Sequence, residues 1–314
     1  MSSFALFGAT GASGTVIAQA LDAAGLPYRV VGRDRPSLEA QFGNGHAEIA
    51  TWNPEDPASV QAAAAGIDTI VYLVGVPYNH FELHPRLMQS TLDGAIAAGV
   101  RRMLLLGTVY ALGRPQTRPV DESHPRDPHT FKGKMRMAQE DLVLRAHAAG
   151  RIAGTVLRVP DFFGPALTRS LVYDVFPAAL QNRRATVIGP IDTPHQFVYV
   201  PDLGPLVVAL AREDRAYGRA WHFAGSGTIT TRAFARMVFE TAGRGEPKLM
   251  VANKTMLRVL GLFDPIMREL VEMNYLQSDP VILDDRALRE LLPGLRATPY
   301  PEAIAQTLAA TKGA

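Results

Sequence analysis

Apolar residues fall along this chain in short continuous runs, separated by stretches in which they recur every three or four positions. Phe4 to Phe7 is one such run, closed by Gly8. The stretch TVIAQALDAAG follows, with Val16, Ile17, Ala20 and Leu21 at helical spacing. Gly25 and Pro27 stop that helix, and Tyr28 to Gly32 reads as a second strand. Asp56 and Pro57 supply an N-cap and a first-turn proline ahead of ASVQAAAAG. Strand-like runs recur at Thr69–Val74, Met103–Leu106, Thr155–Arg158 and Phe197–Val200, with helical patterns between most of them. This alternation predicts an α/β fold, a doubly wound and mostly parallel sheet covered on both faces.

From about Gly164 the alternation loosens, and two helical stretches stand out. One is TTRAFARMVFETAG. The other, KTMLRVLGLFDPIMRELVEMNYL, carries apolar residues at Met256, Leu260, Phe263, Met267 and Leu270. Asp264-Pro265 must break or kink the second. Its stripe is that of a lobe helix packed on a core, with its apolar side also placed to wall a cleft.

Composition narrows the picture. Hydrophobic residues make up 47% of the 314 positions and charged residues 20%, the balance of an ordinary globular protein. Lys and Arg total 32 against 30 Asp and Glu, and they are scattered, which leaves no footprint for nucleic acid or an anionic membrane. The absence of cysteine excludes disulfides and thiol chemistry and suits a reducing cytoplasm. No run reaches the length of a membrane span, and no basic segment precedes the first strand, so neither membrane insertion nor a secretion signal is expected. His80, His84 and His195 lack metal-ligand spacing, and no metal is expected.

Gly8, Gly11 and Gly14 form G-x-x-G-x-x-G between the first strand and the first helix. Glycines there allow a tight turn and let a pyrophosphate approach the backbone, while the helix N-terminus offers free N–H groups. Thr10 and Ser13 add hydroxyl donors. At the end of the second strand stands Gly32-Arg33-Asp34. Arg33 suits a 2′-phosphate and so favours NADP. Asp34 keeps NAD open, because a one-residue shift brings its carboxylate to the ribose. Asn53 and Val74 complete the expected cofactor set.

The segments GATGASG (8–14), DTIVYLVGVP (68–77), LLLGTVYALG (104–113), LRVPDFFGP (157–165), FVYVPDLGPLV (197–207) and PYPEAIAQTL (299–308) resemble the extended short-chain dehydrogenase/reductases of the NAD-dependent epimerase/dehydratase type. The resemblance spans nearly the whole chain. It implies a Rossmann domain over 1–165, joined again by 195–225, and a smaller C-terminal α/β substrate lobe over 166–194 and 226–314. It also implies a Ser or Thr on the fifth strand, and a tyrosine and a lysine four apart on the next long helix. Counting back from Gly113 places Thr108 in the first role, with Tyr110 two residues on and leaving the same face of a strand. A structural Thr with a packed Tyr fits those two positions equally well.

The tyrosine–lysine pair is missing. In FKGKMRMAQE, one register puts Thr130 and Lys134 in the two slots and leaves no acid/base. The other puts Lys132 in the tyrosine slot and Arg136 in the lysine slot, with Glu140 closing the motif. Spacing of four aligns Lys132, Arg136 and Glu140 on one face, which favours the second register. A lysine ammonium protonates a carbonyl oxygen if burial and a nearby cation bring its pKa down. Lys-x-x-x-Arg-x-x-x-Glu is also similar to the helix of isoflavone-reductase-type members of the superfamily, which use a lysine and NADPH. A solvated face, with Glu140 pairing Arg136 for roughly a few tenths of a kcal/mol, accounts for the same residues. Asp161 stands where nucleotide-sugar epimerases carry an asparagine near the substrate phosphates, and a carboxylate there repels a diphosphate. Asp161 and Phe162 are the expected substrate contacts. Arg169, Arg183 and Arg184 read as surface charges.

Three functions follow as expectations. The first is an NADP(H)-dependent oxidoreductase acting on a small organic carbonyl or activated alkene through Lys132, Thr108, Tyr110 and Arg136. The second is an NAD-retaining nucleotide-sugar epimerase or dehydratase. The third is a dinucleotide-binding sensor without catalysis. A homodimer through the helices near 87–98 and 136–148 is the expected assembly, with Met135, Ala138 and Leu142 in its stripe.

Overall fold

A computed structural model of the chain describes residues 3–168, 170–253, 255, 256, 258, 269 and 271–313. Seven strands form the central sheet: β1 (Phe4–Phe7), β2 (Tyr28–Gly32), β3 (Glu48–Thr51), β4 (Thr69–Tyr72), β5 (Arg102–Thr108), β6 (Ala153–Val159) and β10 (Ala220–His222). Their order is β10-β6-β5-β4-β1-β2-β3, and every pairing is parallel. Parallel strands need crossovers on both faces, so the inner strands β1 and β4 are buried along their whole length, while edge strand β3 is partly exposed. In β1 the period of two sends Phe4 and Leu6 to one core and Ala5 and Phe7 to the other. The first core meets α1 (Ala12–Ala23) and α7 (Leu203–Arg212). The second meets α3 (Pro57–Ala64), α4 (Leu83–Ala97) and α5 (Phe131–Ala148). Strand order reverses between β1 and β4, which opens a crevice at the carboxyl ends of the strands.

The lobe is built from two small sheets. β7 (Asp161–Phe163), β9 (Pro194–Tyr199) and β11 (Thr228–Thr230) lie in the order β11-β9-β7, and β8 (Ala185–Ile188) pairs in parallel with β12 (Leu249–Ala252). Around them pack α6 (Val175–Gln181), α8 (Thr231–Thr241) and α11 (Tyr300–Lys312), on a cluster centred on Phe163, Phe176, Phe197 and Phe234. The TTRAFARMVFETAG helix is α8, capped by Thr230, whose side chain accepts from Ala233 N. Of the second lobe helix, Leu260, Phe263, Met267 and Leu270 lie outside the described residues.

After α9 (Tyr275–Ser278) the chain crosses back, and Leu288 and Leu291 of α10 (Arg286–Leu291) join the core that holds α1 and α7. The unit built on the seven-stranded sheet is thus completed from residues far inside the C-terminal stretch.

Candidate active site

The three glycines between β1 and α1 do different work. Gly8 has φ +88°, and a Cβ there would lie 2.9 Å from the Val74 backbone. A Cβ on Gly14 would lie 2.0 Å from Ala9 O. Gly11 faces open space with nothing within 4 Å, and as N-cap of α1 it has no side chain to satisfy the first N–H groups. Two glycines therefore hold the turn closed, and the third leaves room for an anion at the helix N-terminus. Thr10 is exposed beside it and Ser13 is half-buried.

At the end of β2 the two charges separate. Asp34 caps α2 (Arg35–Phe42), accepting from Ser37 N at 3.0 Å and from the Ser37 hydroxyl, and these bonds hold its carboxyl below the usual range. Both bonds fall on Oδ2, so Oδ1 remains to meet a ribose hydroxyl and the NAD alternative stands. Arg33 is exposed, and no hydrogen bond or ion pair engages it among the described residues. Asn53 Oδ1 accepts from Glu55 N at 3.1 Å and its backbone N–H donates to Ser59 Oγ at 2.8 Å, so Asn53 shapes the loop after β3.

A cleft of about 750 Å³ runs from Ser13 and Val74 across the ends of β4, β5 and β6 to Thr186, Met250 and Met256 of the lobe. Thr108 and Tyr110 both line it, though not from one strand. β5 ends at Thr108, whose hydroxyl accepts from Tyr110 N at 3.2 Å and caps a 3-10 turn over Val109–Leu112. The Tyr110 hydroxyl lies 3.1 Å from that of Tyr78. Burial pushes both phenols well above their ordinary pKa, so both keep their protons.

Arg136 is buried in the cleft wall. One guanidinium nitrogen donates to His84 Nδ1 at 3.1 Å and Gln139 Oε1 at 2.8 Å, and the other donates to Leu106 O at 3.1 Å. Because the guanidinium can only donate, His84 Nδ1 accepts and the imidazole is neutral. Burial first, and then the charge of Arg136, hold the His84 pKa down at about 2. The loop and helix after β4 contribute this histidine and Tyr78, neither of which sequence reasoning assigned to the site. The cue was positional: VPYNHFELH follows a strand whose carboxyl end faces the crevice.

Lys132 does not line the cleft. Its ammonium is buried beneath the aromatic wall, 5.0 Å from the Tyr78 ring centre and 5.6 Å from that of Phe81. It donates to Glu272 Oε2 at 2.7 Å and to Glu269. A proton donor reaching into the cleft was expected; an ammonium held by two carboxylates behind the wall is found. Glu140 differs as well. It pairs with Arg158 through bonds of 2.8 to 3.1 Å and with Arg126 at 3.5 Å, not with Arg136. In the other register, Thr130 is taken up as the α5 cap, accepting from Gly133 N at 3.1 Å, and Lys134 is exposed.

On the lobe side, Asp161 and Phe162 line the cleft, and Asp161 Oδ2 is bound to His195 Nε2 at 2.8 Å. Arg183 is exposed and pairs with Asp174, Arg184 is exposed, and Arg169 lies outside the described residues. Among the described residues, no group of three or more His, Asp or Glu is placed to hold a metal ion.

Residues 5–223 match the model of the NAD dependent epimerase/dehydratase family. A curated relative, dTDP-6-deoxy-L-talose 4-dehydrogenase (NAD(P)(+)) of Kitasatospora kifunensis, is 27% identical over 76% of this chain and 79% of its own. UDP-glucose 4-epimerase of Rhizobium leguminosarum bv. trifolii is 26% identical over 40% of this chain and 43% of its own. Among solved structures, the dTDP-glucose 4,6-dehydratase of Bacillus anthracis in complex with NAD superposes with a TM-score of 0.82 at 10% identity. It covers all of this chain and 97% of its own, a likeness of fold.

Proposed function

The chain belongs to the NAD-dependent epimerase/dehydratase family, and from that premise we propose that it moves a hydride between a nicotinamide dinucleotide and a secondary alcohol or ketone carbon. The observation that carries this reading is continuity: the anion-ready turn at Gly11 opens through Ser13 and Val74 into the cleft lined by Thr108, Tyr110 and Arg136. The relatives' names, a sugar 4-dehydrogenase and a sugar 4-epimerase, support an alcohol or ketone carbon over an activated alkene.

When bound, the dinucleotide supplies or accepts the hydride. The backbone at Gly11 and the N-terminus of α1 hold its diphosphate, with Thr10 and Ser13 beside them. Arg33 favours a 2′-phosphate and hence NADP, with NAD as the alternative. Arg136, fixed by Leu106 O and by neutral His84, presents a buried positive charge at the nicotinamide end. Tyr110 and Tyr78 hold protons that hydrogen-bond a carbonyl oxygen, and Thr108 sits beside them. Lys132 stands behind this wall and sets Tyr78 in place. The enzyme works as a cytoplasmic protein and pairs through the half-buried stripe of Met135, Ala138 and Leu142 on α5.

A second reading, a nucleotide-sugar epimerase or dehydratase that retains one NAD, is favoured by the names of the relatives. Mass spectrometry of the dinucleotide released by denaturing the purified protein separates the two. Little released dinucleotide and reversible NADPH binding are expected. Near-stoichiometric NAD would establish the second reading, and no binding of either dinucleotide would remove both.

A further inference from the structure

The hydride-transfer reading leaves the substrate open, and the lobe half of the cleft carries chemistry that bears on it. Two carboxylates stand there. Asp161 has its side chain 29% exposed, and His195 Nε2 fixes its Oδ2, so Oδ1 is left for a ligand. Asp174 also lines the cleft and is satisfied by Arg183 and by Thr186 N at 2.6 Å, which commits that arginine to a carboxylate. A nucleoside diphosphate brings at least two negative charges that must be neutralised as they leave water. A fixed carboxylate at the contact does the reverse.

Among the described residues, the mouth of the cleft is largely apolar. Tyr173, Met250 and Met256 are 39%, 39% and 37% exposed, three of the five large apolar side chains most exposed among the described residues. All three line this cleft, and Leu171, Ile188 and Phe162 continue the surface inward. Apolar side chains gathered at one opening mark a place where an apolar body leaves water.

We propose that the substrate is an uncharged, largely apolar ketone or secondary alcohol carrying a hydrogen-bond donor for Asp161, and that nucleoside diphosphates are excluded. His195 orients the Asp161 carboxylate, and Tyr173, Met250 and Met256 cover the apolar body. This inference rests on the hydride-transfer reading.

The test is isothermal titration of the full chain saturated with NADP+. The probes are UDP, dTDP, 2-acetylnaphthalene and its 6-hydroxy derivative. Both ketones should bind, the hydroxylated one about tenfold more tightly, and neither nucleotide should bind below millimolar concentration. Asp161→Asn should erase the preference for the hydroxylated ketone and raise nucleotide affinity at least tenfold. Met250→Asp, at an exposed position, should weaken both ketones at least tenfold and keeps the test intact if the first variant fails to fold. Micromolar binding of UDP or dTDP to the wild type would overturn the proposal. Binding of neither class, with NADP+ still bound, would also overturn it while leaving hydride transfer standing. Failure to bind NADP+ and NAD+ alike would remove the hydride reading, and this inference with it.

Discussion

A methyl group on Gly14 would be driven into Ala9 O, whereas one on Gly11 would meet only open space, and this contrast separates folding from binding at one turn. Gly14→Ala is expected to cost about 3 kcal/mol, read by urea unfolding, because the backbone must give way. Gly11→Ala should leave stability within about 1 kcal/mol and weaken NADPH roughly tenfold or more in a fluorescence titration. Unchanged affinity would mean that no phosphate approaches Gly11. The glycine spacing was legible in the sequence because it follows from local backbone geometry. The roles of Arg33 and Asp34 were not, since which of two adjacent charges caps a helix depends on where that helix begins. The shared strand face expected of Thr108 and Tyr110 failed for a similar reason: β5 ends at Thr108, two residues before Tyr110, although both line the cleft.

α5 shows the same contrast between elements. Its buried face was readable from spacing: Lys132, Arg136 and Glu140 are buried and Lys134 is exposed. The partners of that face were not, because Glu269 and Glu272 lie 137 and 140 residues away along the chain. Removing one member of a buried pair costs about 3–5 kcal/mol. Here the glutamates are 23% and 27% exposed and rehydrate in part, so Lys132→Met should cost about 1–3 kcal/mol. NADPH affinity should hold. Loss of turnover far beyond the loss of folded protein would give Lys132 a part in the chemistry that its position does not provide. Turnover tracking stability would make it a tie between α5 and the glutamates Glu269 and Glu272.

For the molecule as a whole, two buried imidazoles set the response to acid. Burial, reinforced by Arg136 for His84 and by Arg158 for His222, holds their folded pKa values near about 2 and about 3. Above the ordinary histidine pKa of about 6.5 both states are neutral and the full stability is present. As pH falls through that value, the unfolded chain takes up protons that the folded chain refuses. Stability should then drop by up to about 1.4 kcal/mol per pH unit for each histidine. Urea unfolding at pH 7.5, 6.5 and 5.5 measures this, and His84→Gln or His222→Gln should flatten the slope. A flat wild-type profile would show that both sites admit water.

The Rossmann architecture was readable at this scale because alternating apolar runs and helical stretches admit few sheet arrangements. The return of α10 was not, since Leu288 and Leu291 look like any amphipathic turn until the core they enter is known. That return matters for the order of synthesis. The glycine turn is made well before residues 288–291, and the core behind α1 and α7 stays unfinished until they emerge. A nascent chain therefore carries that core with its apolar underside open until the stretch holding Leu288 and Leu291 has been made.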